Sequence, residues 1–150
     1  MLETLQVTLV TPAMIGGVER SSCDDPAIVR PPAIRGMLHF WTRALCDKDH
    51  YREVEVDLWG STERGQGISI STRQSPCQRE ERPLFPHHQG GRRVETTMML
   101  PNPKPIELRF RLLHGQHREK LQAVVWTWLH LGSVGRRARR GYGSLLWHPR

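Results

Sequence analysis

Gly132-Ser-Val-Gly-Arg-Arg-Ala-Arg-Arg-Gly-Tyr-Gly143 is the stretch around which this sequence is organised, because a helical pattern ends there and a strand pattern begins. Its glycines let the backbone turn sharply and approach a ligand closely. Its four arginines carry planar, permanently charged donors that match phosphate oxygens. The apolar run Leu145, Leu146 and Trp147 follows at once. The pattern predicts a phosphate-binding loop held at both ends, which we call the glycine–arginine loop (residues 132–143). A solvated basic turn or a disordered basic tail is the alternative.

The remaining elements are read outward from that loop. From His117 to Gly132, apolar residues recur at steps of three and four and predict a long helix. Apolar and charged residues alternate over 106–112 (IELRFRL), which predicts the clearest strand. The other predicted elements are a strand over 3–11, a helix from Pro32 to residues 45–47, a short helix over 51–59, and strands over 68–72 and 94–100. The stretch 75–93, polar and rich in proline, is predicted to be irregular.

This order of elements predicts an α+β fold. Strand, helix, strand, strand, helix, strand is the split βαβ repeat, so we expect a ferredoxin-like (RRM-like) βαββαβ domain with loop insertions and a glycine-rich loop before the last strand. With 150 residues the chain fits one such domain, over residues 1–150. The polar face of the best strand presents Glu107, Arg109 and Arg111 in place of stacking aromatic rings. Any RNA contact is therefore expected on loops and helix faces.

Composition favours an anionic partner. The chain has 22 Lys and Arg against 15 Asp and Glu, a net charge of +7, and a pI of about 10.2. This excess of positive charge favours nucleic acid or an anionic surface and does not bear on the fold. The three cysteines, Cys23, Cys46 and Cys77, form no CxxC pair, and Cys77 with His87 and His88 lacks the spacing of a closed zinc site. We expect a reduced, cytoplasmic protein without a metal site or a membrane span.

Four motifs in order form a family pattern. They are residues 11–17 (TPAMIGG), 30–45 (RPPAIRGMLHFWTRAL), 58–63 (LWGSTE) and 135–144 (GRRARRGYGS). Together they resemble the RAMP superfamily of CRISPR effector subunits, and most of all the first RAMP subunit of the Cmr module of type III-B systems. That subunit usually carries two such domains in a longer chain, whereas this sequence has room for one. Its position within a complex is therefore left open.

The resemblance implies binding of a guide RNA (crRNA) within a multisubunit type III effector complex that acts on foreign RNA in antiviral defence. Its implied partners are the guide RNA, the target RNA and other effector subunits, with no membrane, and binding requires no cofactor. Carried over residue by residue, the RNA-binding candidates are Arg30, Arg35, His39 and Arg43 from the first loop and helix, and Arg136, Arg137, Arg139, Arg140 and Tyr142 from the glycine–arginine loop.

Several of these residues have simpler interpretations. Tyr142 could stack on a base or pack at the edge of the core, and Arg35 could form a salt bridge with a carboxylate on the helix surface. His39 is read as a residue of the polar helix face rather than a catalytic one. A stand-alone basic RNA-binding protein would also account for the charge pattern.

Catalysis is a separate question. In the backbone RAMP subunits of type III systems, an aspartate in the loop after the first strand cuts target RNA with a divalent metal, and Asp24 and Asp25 stand in the corresponding loop. A carboxylate there could hold Mg²⁺. The same pair before Pro26 is also typical of a turn. The sequence therefore predicts a non-catalytic RNA-binding subunit, with a metal-dependent endoribonuclease acting through Asp24 or Asp25 as the alternative.

Overall fold

The computed structural model describes residues 2–17, 23–89, 92–113 and 117–149. The strands are β1 (Leu2–Leu9), β2 (Ile68–Arg73), β3 (Arg79–Gln89), β4 (Arg92–Met99), β5 (Asn102–Leu112) and β6 (Leu145–His148). The helices are α1 (Pro31–Leu45), α2 (Tyr51–Trp59) and α3 (Arg118–Leu131), and a single 3₁₀ turn covers Ala138–Arg140. The fold is α+β, and the predicted helices and alternating strands are confirmed to within a few residues.

The main sheet has four strands in the order β2-β5-β1-β6. Each neighbouring pair is antiparallel, with Leu5 opposite Leu108 and Val7 opposite Ile106 in the central pair. Side chains alternate between the two faces of a strand, so one face of β5 buries its apolar residues and the other exposes Arg109 and Arg111. The sheet therefore has one apolar face and one polar, partly basic face.

Helices α1 and α3 complete the core on the apolar side of the sheet. Helix α1 begins with prolines in its first turn, where a missing N–H is tolerated, and buries Ile34 and Leu38. Helix α3 contributes Trp128, which is fully buried and donates from Nε1 to the Ser133 carbonyl at 2.8 Å. The end of α3 and the start of the glycine–arginine loop are thereby fixed to the core.

A buried polar contact fixes α2 against α1. Trp59 donates from Nε1 to Thr42 Oγ1 at 3.0 Å, and the Thr42 hydroxyl donates to the Leu38 carbonyl at 2.8 Å. Both side chains are almost completely buried, so their polar atoms depend on these partners. Helix α2 therefore presents a defined face to the polar side of α1.

The prediction for residues 75–93 was wrong. Most of this stretch forms β3, which pairs with β4 in a separate two-stranded sheet. Arg79 to Arg82 are all exposed and only Leu84 is buried among the side chains that the structure describes in β3, so the strand lacks the alternation of a half-buried strand. Pro83 fits because a strand with a single neighbour has a free N–H edge. The hairpin meets the rest of the chain through Met14, Leu84 and Met98.

A second polar contact joins α2 to the start of α3. The His117 ring lies 2.8 Å from Asp57 Oδ2, and Arg64 bonds the other carboxylate oxygen, Oδ1. The hydrogen bond from His117 holds the pKa of Asp57 below its ordinary value of 3.8, and Arg64 acts in the same direction.

No helix of the described residues is long and apolar enough to cross a membrane.

We expect Asp57→Asn to lower the free energy of unfolding by about 1 kcal/mol near neutral pH, because it removes the charge that both partners face. A depressed pKa means that the ionised carboxylate stabilises the fold above pH 3.8, and that this contribution is lost as the pH falls through the lowered value. Urea unfolding at several pH values measures the difference. Glu63→Gln, at an exposed carboxylate, is the control and should change little. An Asp57→Asn effect that does not shrink in acid would contradict this assignment.

Candidate nucleic-acid interface

The glycine–arginine loop is a closed structure. The Val134 N–H donates to the Gly143 carbonyl at 2.8 Å, and Ser133 and Ser144 form an antiparallel bridge, so the two ends of the loop lie side by side. Between them the 3₁₀ turn is flanked by Arg137 and Gly141, both with left-handed backbone conformations. The arginines are therefore presented from a folded loop and not from a loose tail.

Backbone hydrogen bonds fix this loop to the segment that follows β1, residues 11–14. The Arg136 N–H donates to the Met14 carbonyl and the Gly143 N–H to the Pro12 carbonyl, each at 2.9 Å. The Thr11 hydroxyl donates to the Gly141 carbonyl at 2.7 Å and accepts from the Ser144 N–H at 2.9 Å. These four contacts explain why the motif at 11–17 and the one at 135–144 occur together.

Two glycines are required by this close approach. At Gly143 φ is +71°, and a Cβ atom would lie 1.9 Å from the Val134 carbonyl oxygen. At Gly135 φ is +85°, and a Cβ atom would lie 2.7 Å from the Met14 carbonyl oxygen. A side chain at Gly135 would push the loop away from residues 11–14, whereas one at Gly143 would separate the two ends of the loop, and both would strain the backbone.

Three of the loop arginines point outward. Arg136, Arg139 and Arg140 are exposed, and none of them forms an ion pair with a carboxylate of the described residues. Arg137 is half-buried, and its carbonyl accepts from the Arg140 N–H at 2.8 Å. Tyr142 is also half-buried and packs against Met14, Leu84 and Met98. The outer surface of the loop thus concentrates positive charge, while Tyr142 links the loop to the β3–β4 hairpin.

The polar stripe of α1 faces α2 instead of the loop. His39 Nδ1 lies 2.9 Å from Glu55 Oε1, and Arg43 Nε donates to the same oxygen at 2.8 Å. Arg35 donates to the Gln66 side chain at 3.0 Å and to the Trp59 carbonyl. Burial lowers the pKa of His39, and the neighbouring arginines add to this effect. The structure therefore does not bring Arg35, His39 and Arg43 together with the loop arginines.

Arg30 lies nearer to the loop's docking segment. Its guanidinium bonds the Gly16 carbonyl, two residues beyond the segment on which the loop is docked, and forms an ion pair with Asp24 at 2.8 Å. Asp25 pairs with Arg79 at 2.9 Å. Both candidate catalytic carboxylates are therefore ion-paired with arginine side chains.

One further cluster has the composition of a metal site. Ligand atoms of Glu53, Asp57 and His117 lie within 4.8 Å of one another. Both oxygens of Asp57 are already bonded, one to His117 and one to Arg64, whose charge opposes a cation. The side chains of His87 and His88 lie outside the described residues. We assign the Asp57 cluster to the packing of α2 against α3.

Sequence reasoning missed a groove beside the loop. It has a volume of about 490 Å³ and lies between α1, the end of α3 and the glycine–arginine loop. Phe40, Trp41 and Arg139 line it, and Phe40 is 59% exposed. The signal was present in the sequence, since Phe40 is an aromatic residue outside the apolar stripe of α1.

The comparisons with known proteins agree with this architecture. The chain is 29% identical over 138 residues to the CRISPR system Cmr subunit Cmr1-1 of Pyrococcus furiosus, a match that covers 78% of this chain and 40% of that protein. The structure is similar to a chain of the type III-B Cmr-beta complex bound to cognate target RNA, with a TM-score of 0.73, 13% identity, and 99% of this chain and 58% of that chain covered.

Two further structures share the fold. The apo form of Cmr1 from Pyrococcus furiosus matches with a TM-score of 0.66 and 21% identity, over 99% of this chain and 50% of that one. A chain of a type IV-B CRISPR complex matches with a TM-score of 0.66 and 12% identity, over 99% of this chain and 90% of that one.

The present chain spans about half the length of the Cmr proteins that it matches. The family model of the RAMP superfamily matches residues 6–145, which include the glycine–arginine loop and the segment on which it is docked. With this match extending over nearly the whole sequence, the chain belongs to the RAMP superfamily.

Proposed function

We propose that this chain is a crRNA-binding RAMP subunit of a type III CRISPR ribonucleoprotein effector complex that acts in antiviral defence against foreign RNA. Its role in that complex is to hold RNA. The observation that carries the proposal is the set of exposed arginines on a loop whose backbone is fixed to residues 11–14. A rigid loop loses little conformational entropy when its arginines meet phosphates.

The chemistry of the loop suits a guide of any sequence. Guanidinium groups and backbone N–H groups recognise phosphate oxygens, which are the same in every nucleotide. The loop has no Asp, Glu, Asn or Gln side chain to read the edges of cytosine or adenine, and arginines that are bound to phosphates are not free to read guanine. The binding we propose is therefore strong, dependent on salt, and independent of sequence.

The fold supports the same role. The strand order β2-β5-β1-β6 with α1 and α3 as crossover helices is the order of a ferredoxin-like (RRM-like) domain, in which the β3–β4 hairpin is an insertion. The open face of the sheet carries Arg109 and Arg111 without aromatic rings, unlike the stacking surface of an RRM. We therefore place the RNA at the loop side of the domain.

Partners are proposed from the relatives. The curated relative is a CRISPR system Cmr subunit, and two of the similar solved chains belong to type III-B Cmr-beta complexes bound to cognate target RNA. By analogy we propose that this chain contacts guide RNA, target RNA and other effector subunits. All three cysteines, which are free thiols, suit a reducing cytoplasm.

The non-catalytic role is favoured over cleavage by the ion pairs of the two aspartates. A guanidinium beside a carboxylate adds a positive charge that opposes binding of Mg²⁺ there. Asp24 and Asp25 are both paired in this way, so neither is arranged to hold a metal in advance. The endoribonuclease alternative needs Mg²⁺ at one of these residues, and a direct test separates the two roles.

The loop arginines should govern how RNA binding depends on salt. Replacing Arg136, Arg137, Arg139 and Arg140 with Ala should weaken binding of single-stranded RNA and reduce the slope of log K against log salt by about 2 to 3, because each lost phosphate contact removes about 0.7. Fluorescence anisotropy across a salt series measures the slope.

The control removes the same charge elsewhere. Arg73, Arg109, Arg111 and Arg118 are exposed and lie on the sheet or at the start of α3. Their replacement with Ala should change the slope much less. Equal slopes for the two fourfold variants would show that net charge alone drives binding and would remove the loop from the site.

The two candidate catalytic aspartates can be tested by cleavage of target RNA. In the assembled complex with Mg²⁺, we expect Asp24→Asn and Asp25→Asn to leave the positions and rates of target RNA cuts unchanged, because these side chains serve to fix Arg30 and Arg79. Gel analysis of labelled target RNA measures the cuts. Loss of defined cuts while RNA remains bound would contradict the structural role and establish the endoribonuclease alternative.

A further inference from the structure

The groove beside the glycine–arginine loop has the features of a ligand site. Its walls are Met37, Phe40 and Trp41 from α1 on one side, and the end of α3 with Ser133 and Arg139 on the other. A volume of about 490 Å³ falls within the range of small-molecule sites in proteins. The groove is therefore large enough for a planar ring system.

Two apolar side chains beside the groove remain exposed. Phe40 is 59% exposed and Leu131 is 71% exposed, although both line the groove and neither is needed for the core. The Phe40 ring stands edge-on to the Trp41 ring, with centroids 5.4 Å apart. One face of an aromatic ring is thus available for stacking.

The groove also holds two polar atoms without partners. Trp41 Nε1 and Ser133 Oγ are sealed from solvent, and neither has a hydrogen-bond partner among the described residues. A buried polar group without a partner costs about 1 to 3 kcal/mol, so such groups call for an explanation. Their residues line this groove, but both atoms are covered, and a Cβ at Gly132 would lie 2.9 Å from Trp41 Nε1, so they belong to the wall beneath the groove and not to its open surface.

Charge identifies the class of ligand. Arg139 lines the groove, and Arg136 and Arg140 are exposed on the same loop. A nucleotide combines a phosphate for these arginines with a planar base whose edge carries donors and acceptors. An apolar protein segment would fill the groove but would leave the arginine charges without partners.

We propose that this groove receives one nucleobase of the bound RNA, stacked on Phe40, while Arg139 binds the adjoining phosphate. This inference rests on the proposed function, since it requires RNA at the glycine–arginine loop. Stacking of the base adds a contribution to the binding free energy that salt does not screen. It also explains why an aromatic residue is exposed on α1 next to the loop.

The test compares two probes of equal charge on the full chain. One is oligoadenylate of about twelve nucleotides, and the other is a ribose-phosphate oligomer of the same length without bases. We expect Phe40→Ala to weaken oligoadenylate binding by roughly 5- to 100-fold, the range that one lost stacking contact gives, with the salt slope unchanged. Binding of the oligomer without bases should not change.

Leu45→Ala is the matched control, because Leu45 is an exposed apolar residue of the same helix outside the groove. It should bind both probes as the unchanged chain does. Equal losses on the two probes, or no loss on either, would overturn the inference. A Phe40→Ala variant that binds both probes normally but loses self-association in sedimentation would overturn it in favour of a second copy of the chain.

The outcome also separates this inference from the proposed function. If the chain binds RNA with a salt slope that depends on the loop arginines, yet oligoadenylate and the oligomer without bases bind alike, the groove assignment fails and the proposed function stands. If neither probe binds in a manner that depends on the loop arginines, the proposed function fails as well.

Discussion

The backbone hydrogen bonds between the glycine–arginine loop and residues 11–14 are the contact on which the proposed binding surface depends. Two carbonyls of the segment after β1 accept N–H groups from Arg136 and Gly143, and the Thr11 side chain bonds the loop at two further points. Without these hydrogen bonds, the four arginines within residues 136–140 would repel one another and extend into solvent. Gly135 makes the contact possible, because a side chain there would meet the Met14 carbonyl oxygen. Gly143 lets the two ends of the loop close, because a side chain there would meet the Val134 carbonyl oxygen.

The arginines discussed above fall into two groups according to what they contact. Arginines on the outer surface of the loop face solvent and are available to a polyanion. Those of the α1 stripe bond α2, through Glu55 and the Trp59 carbonyl, and serve the packing of the two helices. Arg30 lies between the groups, since it fixes the chain at Gly16 and pairs with Asp24. The arginines of the α1 motif therefore stabilise the fold, whereas those of the loop are available for the proposed binding.

Much of the fold was predictable from sequence because each core element carries its own pattern. The alternation of β5 and the apolar face of α3 both follow from burial on one side, and the short helix α2 was placed correctly at Tyr51–Trp59. Strand β3 was not predictable in this way, since its described side chains are mostly exposed and its order comes from pairing with β4. The partners of Arg35 and His39, and the groove at Phe40, depend on how helices dock, which periodicity does not encode.

The central claim is that RNA lies along the glycine–arginine loop and not across the open face of the sheet. Photo-crosslinking of the full chain with single-stranded RNA containing 4-thiouridine, followed by mass spectrometry of the peptides, tests this most directly. The expected result is crosslinking within residues 132–144 and at Met37, Phe40 and Trp41, which line the groove beside the loop. Crosslinks concentrated on β5, where Arg109 and Arg111 face solvent, would contradict it.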